Sequence, residues 1–143
     1  MSKLPSNAGY AEEVDQLFVR YEARPAEKVH APWRHFFPTA PANILDIGAG
    51  TGRDAGWFAS IGHQVVAAET TDELRTRAAQ LHAHPNITWV DDILPGIPAL
   101  RARDERFDMI LMHAVWMHLS AEERVEAMAH VAQLLAPKGR IFM

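Results

Sequence analysis

Apolar positions in the first part of this chain recur at helical spacing, and from Pro41 onward short apolar runs alternate with amphipathic stretches. Tyr10, Val14, Leu17, Phe18 and Tyr21 fall every three or four residues with acids between them, which predicts an amphipathic helix over residues 8–22. Val29, Trp33, Phe36 and Phe37 suggest a second helical stretch, interrupted at Pro32, whose ring removes a backbone donor. Both would lean on the rest of the molecule, so residues 1–40 read as a helical extension or lid.

Residues 42–47 form a short apolar run that ends in a cluster of three glycines, the pattern of a buried strand followed by a tight turn. Ala55, Trp57, Phe58 and Ile61 then sit at near-helical spacing in a segment that stops at Gly62. A second strand is predicted over residues 63–69, and Thr70 with Glu73 forms a capping box for a helix running to about His82. Residues 87–90 and 107–112 read as the third and fourth strands. Ser120 with Glu123 caps a helix expected to present Val125, Met128, Val131 and Leu134 on one face. Pro137-Lys138-Gly139 is a turn into a fifth strand that starts at Arg140. Strands alternating with helices imply an α/β fold over residues 41–143, a doubly wound, mainly parallel sheet of about five strands covered on both faces. Ligands in such sheets bind beyond the carboxyl ends of the strands, where strand order reverses.

Composition narrows the function. The chain has 143 residues, 48% of them hydrophobic, and fits one globular domain. A formal charge of -4 supplies no basic field for a phosphate backbone, which disfavours nucleic acid as a partner. The absence of Cys removes disulfides, thiolate nucleophiles and Cys-type metal sites and suits a reducing cytoplasm. There is no run of about 18 apolar residues to span a membrane and no secretory leader pattern.

The chemistry concentrates in Asp46-Ile47-Gly48-Ala49-Gly50-Thr51-Gly52. Positions without side chains at 48, 50 and 52 let a ligand lie against the backbone, and the helix that follows presents free N–H groups and a positive dipole end. Arg53 occupies the place that a dinucleotide-binding G-x-G-x-x-G gives to its last glycine, so a nicotinamide cofactor fits less well. A turn that merely tightens strand-to-helix packing is the plain alternative. Glu69 ends the second strand, where an acid can accept both ribose hydroxyls of a nucleoside. Asp91 and Asp92 end the third; one carboxylate there could accept the exocyclic amine of adenine, Asp92 being preferred, with Ile93 as an apolar wall beside the ring.

With these three strand ends in place, residues from about 25 to 143 resemble the class I S-adenosylmethionine-dependent methyltransferases, a Rossmann-like family. The resemblance implies that Asp46, Gly48 and Gly50, with Ala49, Thr51, Gly52 and Arg53 of the same loop, line the methionine and sulfonium end of the cofactor. It implies that Glu69, with Thr70 beside it, binds ribose and that Asp92 with Ile93 meets adenine. The segment from Phe107 through Ala114 to Leu119 is similar to the family's fourth motif and would set His113 beside both cofactor and acceptor. The family sheet continues to seven strands, whereas this chain stops inside the fifth. Strands six and seven are therefore expected to be missing, and a bare fifth-strand edge could pair two copies into a homodimer.

His113 and His118 flank Trp116 and are the candidates for a base that takes a proton from an acceptor hydroxyl or amine. His82 and His84, beside Pro85, read as a solvated loop with no acidic cluster to complete a metal site. Tyr10, Tyr21 and Trp33 are expected to build the acceptor wall. The resulting expectation is an enzyme that passes the methyl group of S-adenosylmethionine to a small or medium acceptor and leaves S-adenosylhomocysteine. A nucleotide-dependent oxidoreductase and a non-catalytic cofactor-binding or interaction module are the alternatives.

Overall fold

A computed structural model describes residues 7–143 except Ala114, with side chains from residue 12 onward. Among the described residues the elements run α1 (Asn7–Glu22), α2 (Ala26–Val29), a 3-10 turn (Ala31–Phe36), β1 (Asn43–Ile47), α3 (Arg53–Ser60), β2 (Gln64–Ala68), α4 (Asp72–Leu81), β3 (Ile87–Val90), α5 (Pro98–Ala102), β4 (Phe107–Leu111), a 3-10 turn (Trp116–His118), α6 (Ala121–Gln133) and β5 (Leu135–Phe142). The five strands make one parallel sheet in the order β3-β2-β1-β4-β5. The order reverses between β1 and β4, so a cleft opens above the carboxyl end of β1.

Side-chain alternation in the strands divides the core. Leu45, Ile47, Val66, Ala68 and Ile110 face Leu100 of α5 and Ala127 and Val131 of α6. Ile44, Val65, Ala67, Met109 and Leu111 face Ala55, Phe58 and Ala59 of α3, together with Phe37. α1 packs separately, setting Val14 and Phe18 on Leu74 and Ala78 of α4.

Several local expectations are corrected. α6 carries the Ser120–Glu123 capping box, but Val125 is 74% exposed, and the buried stripe runs through Ala127, Val131 and Leu134. At 100° per residue Val125 lies about 120° away from Val131, outside the stripe. The Thr70–Glu73 box does not form: Thr71 is the N-cap of α4, its side chain makes no cap bond, and its N–H donates instead to Glu69. β5 begins at Leu135, because Pro137-Lys138-Gly139 bulges within the strand while pairing passes from Phe107↔Leu135 to Met109↔Arg140. α5 had no sequence signal beyond Pro98 at its first position.

Candidate functional site

The glycine loop leaves β1 and returns into α3 while its N–H groups bond the end of the neighbouring strand. Gly48 and Ala49 donate to the carbonyl oxygen of Ala68, at 2.8 and 2.9 Å, and Gly50 donates to Glu69 Oε1 at 2.9 Å. Glu69 Oε2 accepts the N–H of Thr71 at 2.9 Å. This buried carboxylate therefore joins the glycine loop to the segment leading into α4. Asp92, also buried, accepts from its neighbour Ile93 at 3.0 Å and from Leu100 at 2.8 Å, which holds the loop after β3 against α5.

These loops surround a cavity of about 740 Å³, within the size range of pockets that enclose small organic ligands. Asp46, Gly48, Ala49, Gly50, Thr51 and Arg53, at and after the end of β1, line it together with Glu69 and Thr70 after β2 and Asp92 and Ile93 after β3. Ile93 is 56% exposed and offers the apolar surface expected of it. His113 and His118, after β4, also line it, as do Leu17 and Tyr21 of α1. Gly50 has φ +57, and a Cβ added there meets no atom closer than Gly48 O at 4.0 Å, so backbone is bare toward open space.

The structure separates some expected site residues from the cavity. Gly52 does not line it; an added Cβ would lie 2.9 Å from the His82 ring and 3.0 Å from Trp89, so this glycine admits packing from behind the loop. Asp91, the carboxylate not preferred for the site, is exposed and pairs with Arg75 at 3.5 Å, because consecutive residues past β3 point in different directions. Trp33 is absent from the wall and donates its indole N–H to His30. The side chain of Tyr10 lies outside the described residues, as does Ala114. His82 is no solvated loop residue, since it packs on α3 and bonds Glu22 of α1.

Among the described residues, five carboxyl groups and a single guanidinium, that of Arg53, line the cavity. Asp46 is 2% exposed, and none of its neighbours donates a hydrogen bond to it among the described residues. Burial, then the charges of Asp54 and Glu69, push its carboxyl well above the ordinary value of 3.8. His113 goes the other way: burial, reinforced by Arg53 and Arg24, lowers it below 6.5 against the pull of Asp54. Its imidazole is thus neutral at pH 7 and can accept a proton.

Comparison with known proteins decides the family, because the profile of the methyltransferase domain matches residues 44–139. The chain belongs to the methyltransferase domain family. It is 26% identical over 106 residues to phosphoethanolamine N-methyltransferase 1 of Triticum aestivum, a match covering 73% of this chain and 21% of that protein. The chain thus spans about a fifth of that curated relative. A TehB-like methyltransferase of Corynebacterium glutamicum superposes with a TM-score of 0.72 at 25% identity, covering 94% of this chain and 72% of the other. The 1,6-didemethyltoxoflavin-N1-methyltransferase of Burkholderia thailandensis, solved with 1,6-didemethyltoxoflavin and S-adenosylhomocysteine, gives 0.62 at 25% identity over 99% and 64%.

The methyltransferase domain has polar groups at its site that sequence reasoning missed. Asp54, in the first turn of α3, is buried and lines the cavity. Burial would raise its carboxyl, yet the His30 hydrogen bond and the charge and hydrogen bond of Arg53 outweigh it and hold it below 3.8. Neither His30 nor Asp54 stands in a recognisable spacing, and only the fold brings them together across 24 positions.

Proposed function

We propose that this methyltransferase domain binds S-adenosylmethionine in the cavity above β1 and methylates a small or medium acceptor, leaving S-adenosylhomocysteine. The observation that carries the reading is the meeting, in one cavity, of the ends of β1, β2 and β3: a bare glycine backbone, a buried Glu69, and Asp92 beside Ile93. Gly50 faces open space where a methionine moiety can lie on the backbone, and Asp46, to which no described residue donates, would give up its proton on meeting a cationic group there. Asp46 and residues 48–51 with Arg53 would hold the amino-acid end, Glu69 and Thr70 the ribose, and Asp92 with Ile93 the adenine. Bound there, S-adenosylmethionine supplies an electrophilic methyl group.

The remaining tasks are orientation and exclusion of water. Leu17 and Tyr21 bring α1 to the cavity wall, which supports reading the described part of residues 1–40 as a helical extension or lid. His113, neutral and at the cavity wall, is the group placed to take the proton of an acceptor; His118 is exposed and serves as a rim contact. The relatives named for phosphoethanolamine and for 1,6-didemethyltoxoflavin support a small-molecule acceptor. No described helix is long and apolar enough to cross a membrane, and the cysteine-free chain suits the cytoplasm. Pairing of two copies along β5 is the oligomer we propose for this sheet.

The test is a thermal melt with and without nucleosides. S-adenosylhomocysteine at 100 times its Kd is expected to stabilise by about 2.7 kcal/mol, which raises the melting temperature by about 8–11 °C in a domain of this size. NAD at the same concentration is expected to leave it unchanged. An equal shift with NAD, or none with either S-adenosyl compound, overturns the assignment.

A further inference from the structure

His30 belongs to no motif, yet it is fully buried, and both its ring nitrogens are engaged. The indole N–H of Trp33 donates to Nδ1 at 2.9 Å, so that nitrogen is an acceptor and the ring proton sits on Nε2. Nε2 is 2.9 Å from Asp54 Oδ1 and donates to it. Arg53 approaches the same carboxylate with Nε at 3.1 Å from Oδ1 and Nη2 at 3.5 Å from Oδ2. Its guanidinium lies 5.9 Å from the Tyr21 ring centre and forms part of the cavity wall.

Trp33, Phe37, Trp57 and Phe58 surround the His30 ring, and His113 meets it edge-on at 5.6 Å. An apolar side chain of similar volume would fill this aromatic cage without the cost of burying polar groups. The imidazole is explained by where its hydrogen bonds lead. They run from the segment before β1, outside the residues matched by the family profile, into the first turn of α3 and end on Arg53, the one guanidinium of the cavity wall among the described residues.

We propose that His30 is a positioning residue: its proton, fixed on Nε2 by Trp33, orients Asp54 and through Asp54 holds the Arg53 guanidinium against the ligand cavity. The same ring backs His113, so one side chain before β1 sets two groups of the site. A carboxylate held only by Arg53 could rotate with it as a unit; a second donor at Oδ1 removes that freedom. This inference rests on the cofactor reading of the cavity.

His30→Gln keeps an N–H at the reach of Nε2, whereas His30→Leu keeps volume and removes the donor. Calorimetric titration with S-adenosylhomocysteine is expected to give a Kd within about threefold of wild type for His30→Gln and at least tenfold weaker for His30→Leu, a loss of one decade or about 1.4 kcal/mol. Wild-type affinity in folded His30→Leu, or equal losses in the two variants, makes His30 a packing residue. Nitrogen spectra of the wild-type protein supply a readout that does not depend on the variants folding: the ring proton is expected on Nε2 and the Arg53 Nε–H is expected to be protected from exchange. A proton on Nδ1, or a freely exchanging Arg53, overturns the proposal. If wild type binds no S-adenosylhomocysteine while both spectral signatures are present, the cofactor reading fails and the positioning network stands.

Discussion

Glu69 engages a backbone N–H at each carboxylate oxygen, Gly50 at Oε1 and Thr71 at Oε2. Each oxygen keeps a second lone pair for a ligand hydroxyl. Glu69→Gln must turn an NH₂ group toward one of the two N–H donors, which loses a charge-assisted bond and opposes donor to donor. S-adenosylhomocysteine is expected to bind at least about tenfold more weakly to this variant, read by calorimetry; an unchanged Kd places the ribose elsewhere. Asp46 carries a pH prediction. Its carboxyl is raised in the fold, so above pH 3.8 the native state retains a proton that the unfolded chain has lost. Stability from this group therefore falls as pH rises from the ordinary value toward the raised one. Asp46→Asn is expected to resist urea better than wild type at about pH 7, with the difference shrinking on acidification to about pH 4, below which both side chains are neutral. A difference that grows on acidification contradicts the burial account.

At the scale of elements, Gly56 sits within α3, where Ala is ordinarily preferred by about 1 kcal/mol. Here an added Cβ would lie 2.4 Å from His82 Nδ1, at the end of α4. The same ring bonds Glu22 at the end of α1, so one imidazole clasps three helices. Gly56→Ala is thus expected to destabilise the protein by about 1–3 kcal/mol, the usual cost of overpacking. Adding His82→Ala is expected to recover part of that loss, and a double-mutant cycle in urea measures the coupling. A stabilised Gly56→Ala would show that helix propensity outweighs the clasp.

At the scale of the whole molecule, β5 pairs only with β4 among the described residues and presents its other edge. Pro137 and the bulge at Lys138, φ 66, disrupt the first half of that edge, and a lysine there discourages pairing. Residues 140–142 remain regular enough to meet a second copy about a two-fold axis. Light scattering is expected to show a dimer that Ile141→Pro converts to one chain, since proline removes a ladder donor. A single-chain mass for the unmodified protein removes this reading.

The alternation of strand and helix, the parallel sheet and the capping box at Ser120 were legible in the sequence because they depend on neighbours within a few positions. So were the three strand ends: a glycine run, an acid after β2 and an acid after β3 follow from chain order, which in a doubly wound sheet places them at one edge. Tertiary structure decided what those residues face. Gly52 turns to His82 and Trp89 although it belongs to the same run as Gly50, because the turn points successive positions in different directions. Val125 lies outside the buried stripe because the position of α6 on the sheet, not its own apolar count, selects the face. The His30–Asp54 contact spans 24 residues and joins polar side chains with no spacing of their own. A hydrogen bond between groups so far apart is set by the packing of the segment before β1 on α3, and local patterning holds no information about that distance.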